Sequence, residues 1–336
     1  MASLAAIAER NIRDIVTLSM LHGPQAGAIV VTDDQCELAR IVSGAYAQAL
    51  PHGTLVKFYS SSREELMESF KSAVPGDLIV LVQSTSFRME GFRIRVELLK
   101  RGLKVIEHSN LSRIAADEYP TYLDALAYEP EYYRGVGGRL RDRIGRAQSA
   151  RVESGGLVLV YDSAFEPAKI NTGDFSTLKN MASTYPIGEV FTEALHLDRV
   201  NGKVKLHCFS DTSYVINAVE EPITMVIEEG LVVGAEHSTP AFDAMLEAIR
   251  EAEGRVMVRE LGLGMNRAFS RGRRVSDVGA YERVCGVHLS LGAKHGVYKK
   301  PGLKNKEAKF HLDVFAITDR VLFDDDVVYQ DGAWSI

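Results

Sequence analysis

His311 and Asp313 stand two residues apart in the apolar run Lys309-Phe310-His311-Leu312-Asp313-Val314-Phe315. In a β-strand, residues i and i+2 point to one face, so an imidazole nitrogen and a carboxylate oxygen would converge there. Such a pair suits a borderline divalent metal such as Zn, Mn, Fe or Co, but two donors do not hold one. Taken alone, the pair is better explained by a hydrogen bond inside a half-buried strand, so further ligands must be sought upstream. Three residues there qualify. Glu189 lies in Pro186-Ile187-Gly188-Glu189-Val190-Phe191-Thr192, Glu260 precedes Leu261-Gly262-Leu263-Gly264-Met265-Asn266, and His288 lies in Cys285-Gly286-Val287-His288-Leu289-Ser290-Leu291-Gly292. Each is flanked by apolar residues and glycine, where an unpaired carboxylate is costly to bury and a metal would neutralise it. Three carboxylates and two histidines match two adjacent divalent ions that share one carboxylate.

These residues need a scaffold, and 336 residues with 46% apolar content suffice for two globular domains. Residues 1–150 are expected to form an α/β scaffold domain with a parallel sheet. Short apolar runs at 28–31, 54–59, 77–82 and 103–106 alternate with helical stretches that end near 50, 72 and 101, with Asp33-Asp34 read as a cap. None of these turns carries a dinucleotide-type glycine fingerprint, so nothing supports nucleotide binding. The basic stretch 134–146 reads as a solvated helix with its arginines outward. Residues 147–156 are small and polar, like a linker. Residues 151–336 are expected to form an α+β domain with a mainly antiparallel sheet that carries the metal site. Its expected strands are 157–160, 204–209, 223–227, 231–233, 255–258 and 284–291, with one clear helix at 240–252 capped by Ser238-Thr239.

The ordered motifs around Glu189, Glu260, His288 and His311-x-Asp313 resemble the metal motifs of the aminopeptidase T family, also called thermophilic metalloproteases. The resemblance covers residues 156–323 by specific motifs and the first half by general pattern. It implies that Glu260 bridges two metals, that Glu189 and Asp313 complete one site, and that His288 and His311 complete the other. The family places a catalytic glutamate shortly before the His288 position and a tyrosine shortly after it. The candidates in this sequence are Glu282 as general base and His295 in the tyrosine's place as oxyanion donor, with Tyr298 three residues further on.

The expected activity is hydrolysis of an amide bond next to a free amine, in a short peptide or small amide, with two Zn, Co or Mn ions as cofactors. The fold resemblance also reaches the 2,5-dihydroxypyridine dioxygenases, non-haem iron enzymes that share His311-x-Asp313 but use a histidine where this chain has Glu260. A catalytically inactive metal-binding relative is the third reading. The net charge of −6 offers no general attraction for nucleic acid or anionic membrane. The first residues turn charged before an apolar signal core can form, no run approaches a membrane span, and Cys36, Cys208 and Cys285 suggest no disulfide framework, so a cytoplasmic location is expected. The family resemblance implies a homodimer.

Overall fold

A computed structural model describes residues 3–58, 63–87, 94–176, 182–300 and 308–336. In chain order, the first helices and strands are α1 (Leu4–Asp14), β1 (Ala28–Thr32), α2 (Glu37–Ala49), β2 (Thr54–Lys57), α3 (Arg63–Ser69), β3 (Leu78–Val82), α4 (Ile94–Lys100), β4 (Lys104–His108), α5 (Tyr119–Asp124) and α6 (Pro130–Ile144). There follow β5 (Ala150–Ser154), β6 (Leu157–Tyr161), β7 (Lys169–Asn171), β8 (Ala182–Thr184), β9 (Glu189–Glu193), β10 (Val200–Ser210), β11 (Ile216–Glu228), β12 (Leu231–Glu236) and α7 (Pro240–Glu253). The chain ends with β13 (Val258–Gly264), α8 (Val278–Tyr281), β14 (Gly286–Leu291), β15 (Leu312–Ala316), β16 (Arg320–Phe323), β17 (Asp326–Gln330) and β18 (Ala333–Trp334). The beginning of the expected helix at 90–101 and the end of the expected strand at 54–59 lie outside the described residues.

The chain divides into two compact units that interleave along the sequence. The first comprises Met1–Arg134, Asn171–Ile187 and Arg273–Ala280. Its sheet runs in the order β2-β1-β3-β4-β8, with every pair parallel. β1 and β3 are buried at every position, as strands covered on both faces must be, which is why they read as unbroken apolar runs. Ile29, Val31, Ile79, Leu81 and Val105 pack with Leu66 of α3, Phe70 just after it, and Ile94 and Leu98 of α4 in one core cluster. The fifth strand, β8, went unseen in the sequence because Ala182-Ser183-Thr184 carries no apolar pattern.

Two local expectations need correction. Asp33 does not cap α2, because the Cys36 sulfur accepts from Ala39 N and takes that role. The Asp33 carboxylate instead accepts from Ser84 N and Ser84 Oγ, tying the end of β1 to the end of β3. In the 134–146 stretch, Arg139 and Arg141 are exposed as expected, but Arg143 turns inward to Asp324 at 3.2 Å and Asp326 at 2.9 Å.

The second unit comprises Gly135–Ile170, Gly188–Gly272 and Tyr281–Ile336. Among the described residues its 13-stranded sheet follows the order β18-β17-β16-β5-β6-β10-β15-β14-β13-β9-β7, with β11 and β12 branching from β10. Every pairing with a defined register is antiparallel. The expected linker at 147–156 is largely β5, where Ala150, Val152 and Ser154 alternate inward against β16 and β6. Small residues on the buried side hid that alternation. Thr239 caps α7 as expected, accepting from Phe242 N. No helix among the described residues is long and apolar enough to cross a membrane.

His108 gives the first unit a pH dependence. The ring is fully buried, with Nε2 2.8 Å from the Tyr46 hydroxyl and Nδ1 2.9 Å from that of Tyr122. Burial pushes its pKa down to about 3. The unfolded chain takes up the proton below about pH 6.5 while the folded chain does not, so stability is lost as pH falls from 6.5 toward 3. The loss approaches roughly 1.4 kcal/mol per pH unit. Urea unfolding midpoints measured between pH 7 and pH 4 should therefore fall more steeply for the wild type than for His108→Gln, and parallel slopes would contradict this.

Candidate metal centre

Glu189, Glu260, His288 and Asp313 lie on four neighbouring strands, β9, β13, β14 and β15. Glu189 stands opposite Gly264, Gly262 opposite both Phe191 and His288, His288 opposite Phe315, and Ser290 opposite Asp313. Opposed residues share a face, as do residues two apart, so all four side chains project from one side of the sheet. His311 falls one residue before β15, yet its Nε2 lies 3.5 Å from Asp313 Oδ1. The expected convergence of these two side chains is therefore present.

Glu260 is placed differently from the sequence expectation, which ended a strand at 258 and put Glu260 beyond it. β13 begins at Val258 and runs to Gly264, with every residue buried. Gly262 and Gly264 look like turn signals but are there to make room. A Cβ on Gly262 would lie 2.0 Å from His288 Nε2, and one on Gly264 would lie 1.9 Å from Val284 O. Glycine in a strand often marks such a close approach. The register between β13 and β14 also slips: Val258 pairs with Leu291 but Leu261 with Leu289. Arg259 and Glu260 thus both oppose Ser290, a β-bulge that brings two consecutive charged side chains toward one side. Ser290 Oγ accepts from Glu260 N at 2.9 Å, satisfying the bulged main chain.

The donor atoms that come together are those of Glu189, Glu260 and His288, all within 4.8 Å of one another. His288 Nε2 is 3.3 Å from Glu189 Oε1 and 3.5 Å from Glu260 Oε1. These are ion-pair contacts, and both ring nitrogens of His288 lack hydrogen-bond partners, as does buried Asp313 Oδ1. The other oxygen of each glutamate is occupied. Arg283 Nη1 donates to Glu189 Oε2 at 2.5 Å, and His295 Nε2 lies 2.8 Å from Glu260 Oε2. Arg283 Nη1 also pairs with Glu282 Oε1 at 2.6 Å, which places Glu282 at the edge of the cluster.

The electrostatics reflect an excess of negative charge. Glu189, Glu260, Glu282 and Asp313 are carboxylates, and among the described residues in contact with them Arg283 is the permanent cation. Burial would lower the His288 pKa, but contacts with Glu189 and Glu260 outweigh it and raise it well above the ordinary imidazole value. Burial would raise Glu260, and contacts with His288 and His295 with the charge of His311 outweigh it and hold Glu260 below the usual carboxylate range. Burial pushes Asp313 up, against the pull of His311. Shielding from water pushes Glu282 up as well, with Arg283 opposing and Glu189 and Asp313 adding to the rise. A crowd of buried carboxylate oxygens around the His288 imidazole, whose nitrogens lack hydrogen-bond partners, is the donor set of a divalent cation, and the residues fit that group.

Tyr298 is close but directed elsewhere. Its hydroxyl donates to Pro167 O at 2.8 Å and Phe191 O at 3.3 Å, so it faces the main chain rather than the donor cluster. Sequence reasoning missed two residues, Arg283 and Arg259. Arg283 is buried and pairs with Glu189 as well as with its sequence neighbour Glu282. Arg259 donates to Glu193 Oε2 at 2.6 Å and holds Ala293 O and Tyr298 O, the two ends of the turn that carries His295. The available signal was a charged residue inside an apolar, glycine-flanked motif, which was followed for carboxylates and histidines but not for arginines.

No family model matches the chain, and no curated protein matches it. Among solved structures, the fold resembles that of an aminopeptidase T. Wild-type AmpT from Thermus thermophilus is similar over 99% of this chain and 100% of its own, with a TM-score of 0.58 and 13% sequence identity. At that identity the likeness is one of fold.

Gly262 makes the site's geometry testable. Gly262→Ala should drive the His288 ring aside and weaken zinc binding at least about tenfold, since displacing a ligand's support typically costs 10–100-fold. Calorimetric zinc titration of the two proteins reads this, and equal affinities would contradict the close approach.

Proposed function

We propose that this chain is a divergent relative of the aminopeptidase T hydrolases, a metal-dependent enzyme that cleaves an amide bond next to a free amine in a short peptide or small amide. The observation that carries the reading is the surplus of buried carboxylates around His288, whose ring nitrogens have no hydrogen-bond partners. Glu189, Glu260 and His288 would hold one divalent ion and His311 with Asp313 a second, in place of the Glu189–Asp313 and His288–His311 grouping that the resemblance implies. Zn, Co or Mn suits such oxygen and imidazole donors. Ions there would polarise an amide carbonyl and lower the pKa of water toward neutrality.

The chain's own residues supply the rest. Glu282 reaches the cluster's edge with Oε1 held by Arg283, which leaves Oε2 to take the proton of the attacking water and return it to the leaving amine. Shielding from water raises its pKa, which makes the ionised carboxylate a stronger proton acceptor. Arg283 fixes Glu189 and Glu282 relative to each other through one guanidinium nitrogen. Tyr298, with its hydroxyl on the main chain, supports the wall. The gathered donors are two carboxylates and one imidazole, whereas a mononuclear iron oxygenase generally uses two histidines and one carboxylate. That favours the hydrolase over the dioxygenase, and the position of Glu282 favours it over an inactive relative. A symmetric homodimer is part of the proposal.

The zinc- or cobalt-loaded protein should hydrolyse amino-acid nitroanilides. Glu282→Gln should retain metal and lose about 10²–10⁴ in kcat, as removal of a general base does. Glu260→Ala should lose bound metal altogether, as read by elemental analysis after gel filtration. Full activity in Glu282→Gln would sink its role as base, and undiminished metal in Glu260→Ala would sink the site.

A further inference from the structure

His295 does not sit in the centre as a free imidazole. Its Nδ1 receives hydrogen bonds from Val297 N at 3.1 Å and Tyr298 N at 3.2 Å. A main-chain N–H can only donate, so Nδ1 carries no proton, and the single proton of the neutral ring is on Nε2. The atom 2.8 Å from that nitrogen is Glu260 Oε2, a carboxylate oxygen that can only accept. Three contacts thus fix one tautomer and one direction of donation. The turn that supplies the two N–H groups is itself held. Arg259, anchored on buried Glu193, donates to Ala293 O and Tyr298 O at its two ends, and Lys294 O lies 3.1 Å from His311 Nδ1.

We propose that His295 is a positioning residue for Glu260: its main-chain-locked Nε2–H holds Oε2 and leaves Oε1 as the oxygen offered to an ion beside His288. This rests on the metal-centre reading above and deepens it. It replaces the expectation that His295 donates to a developing oxyanion, because that proton is already committed to Glu260. Neither nitrogen of His295 is open to an ion, because Nε2 carries the proton and Nδ1 is covered by two amides. The arrangement parallels the other glutamate, where Arg283 occupies Glu189 Oε2. Both Oε1 atoms are the ones that approach His288 Nε2, at 3.3 and 3.5 Å. Each ligating carboxylate therefore has one oxygen tied to a fixed donor and one turned to the same imidazole, the outer-sphere orientation that tunes metal sites.

The test uses the full chain stripped of metal by chelation and titrated with zinc by calorimetry. His295→Ala should weaken zinc binding about 10–100-fold, the usual cost of losing such a partner. His295→Gln, whose amide nitrogen can reach the Nε2 position, should recover most of that loss. Nitrogen-15 long-range correlation spectra of the wild type should show the His295 ring, identified by its absence in His295→Gln, as the Nε2–H tautomer before and after zinc is added. An Nδ1–H tautomer, a zinc-bound Nε2, equal losses in the Gln and Ala variants, or unchanged affinity in His295→Ala would each overturn the positioning role while leaving the metal centre standing. A wild type that binds no zinc overturns the metal reading and this inference with it.

Discussion

The second unit is organised around an electrostatic imbalance: among the described residues, several carboxylates crowd together with one arginine and the imidazoles of His288, His295 and His311. Taking charge out of water is costly, and removing one partner of such a group leaves the others uncompensated. In the chain itself, raised basicity at His288 answers part of the imbalance, and a bound cation would answer it in the same place. The surrounding features make sense as means of holding these like charges close. Arg283 ties down one oxygen of Glu189, His295 ties down one oxygen of Glu260, and Ser290 satisfies the main chain where β13 bulges.

An antiparallel sheet is well suited to this arrangement because it fixes the spacing of side chains on one face across several strands. Two deviations from regularity adapt it. Glycine at 262 gives up a side chain so that the His288 ring can lie over the neighbouring strand, and the bulge at Arg259-Glu260 aims two successive charges toward one side. One of these serves the donor cluster. The other, through Glu193 and the turn at 293–298, holds the residue that orients the first. The site therefore extends from the donor atoms through two further layers of hydrogen bonds.

Much of this was legible in the sequence. The parallel sheet showed itself as apolar runs at β1 and β3 because both faces are covered, and the donor residues stood out because carboxylates and imidazoles are rare between apolar residues and glycine. What did not show depends on contacts between segments distant in sequence. The reason for glycine at 262 appears only once His288 is placed against it, and Asp33 reads as a helix cap until Ser84 is found beside it. Arg283 reads as a surface partner of Glu282 until Glu189, from a strand almost a hundred residues earlier, is seen to take the same guanidinium. β5 was mistaken for a linker because its inward residues include Ala150 and Ser154, too small to mark an apolar face.

The account turns on where a cation binds. Diffraction from crystals of the full chain grown with zinc, recorded at the zinc absorption edge, gives that position without reference to activity. The account predicts an anomalous peak bounded by Glu189 Oε1, Glu260 Oε1 and His288 Nε2, the three atoms gathered on one sheet face. A fully occupied zinc elsewhere with none among these atoms, or no peak at saturating zinc, would contradict it.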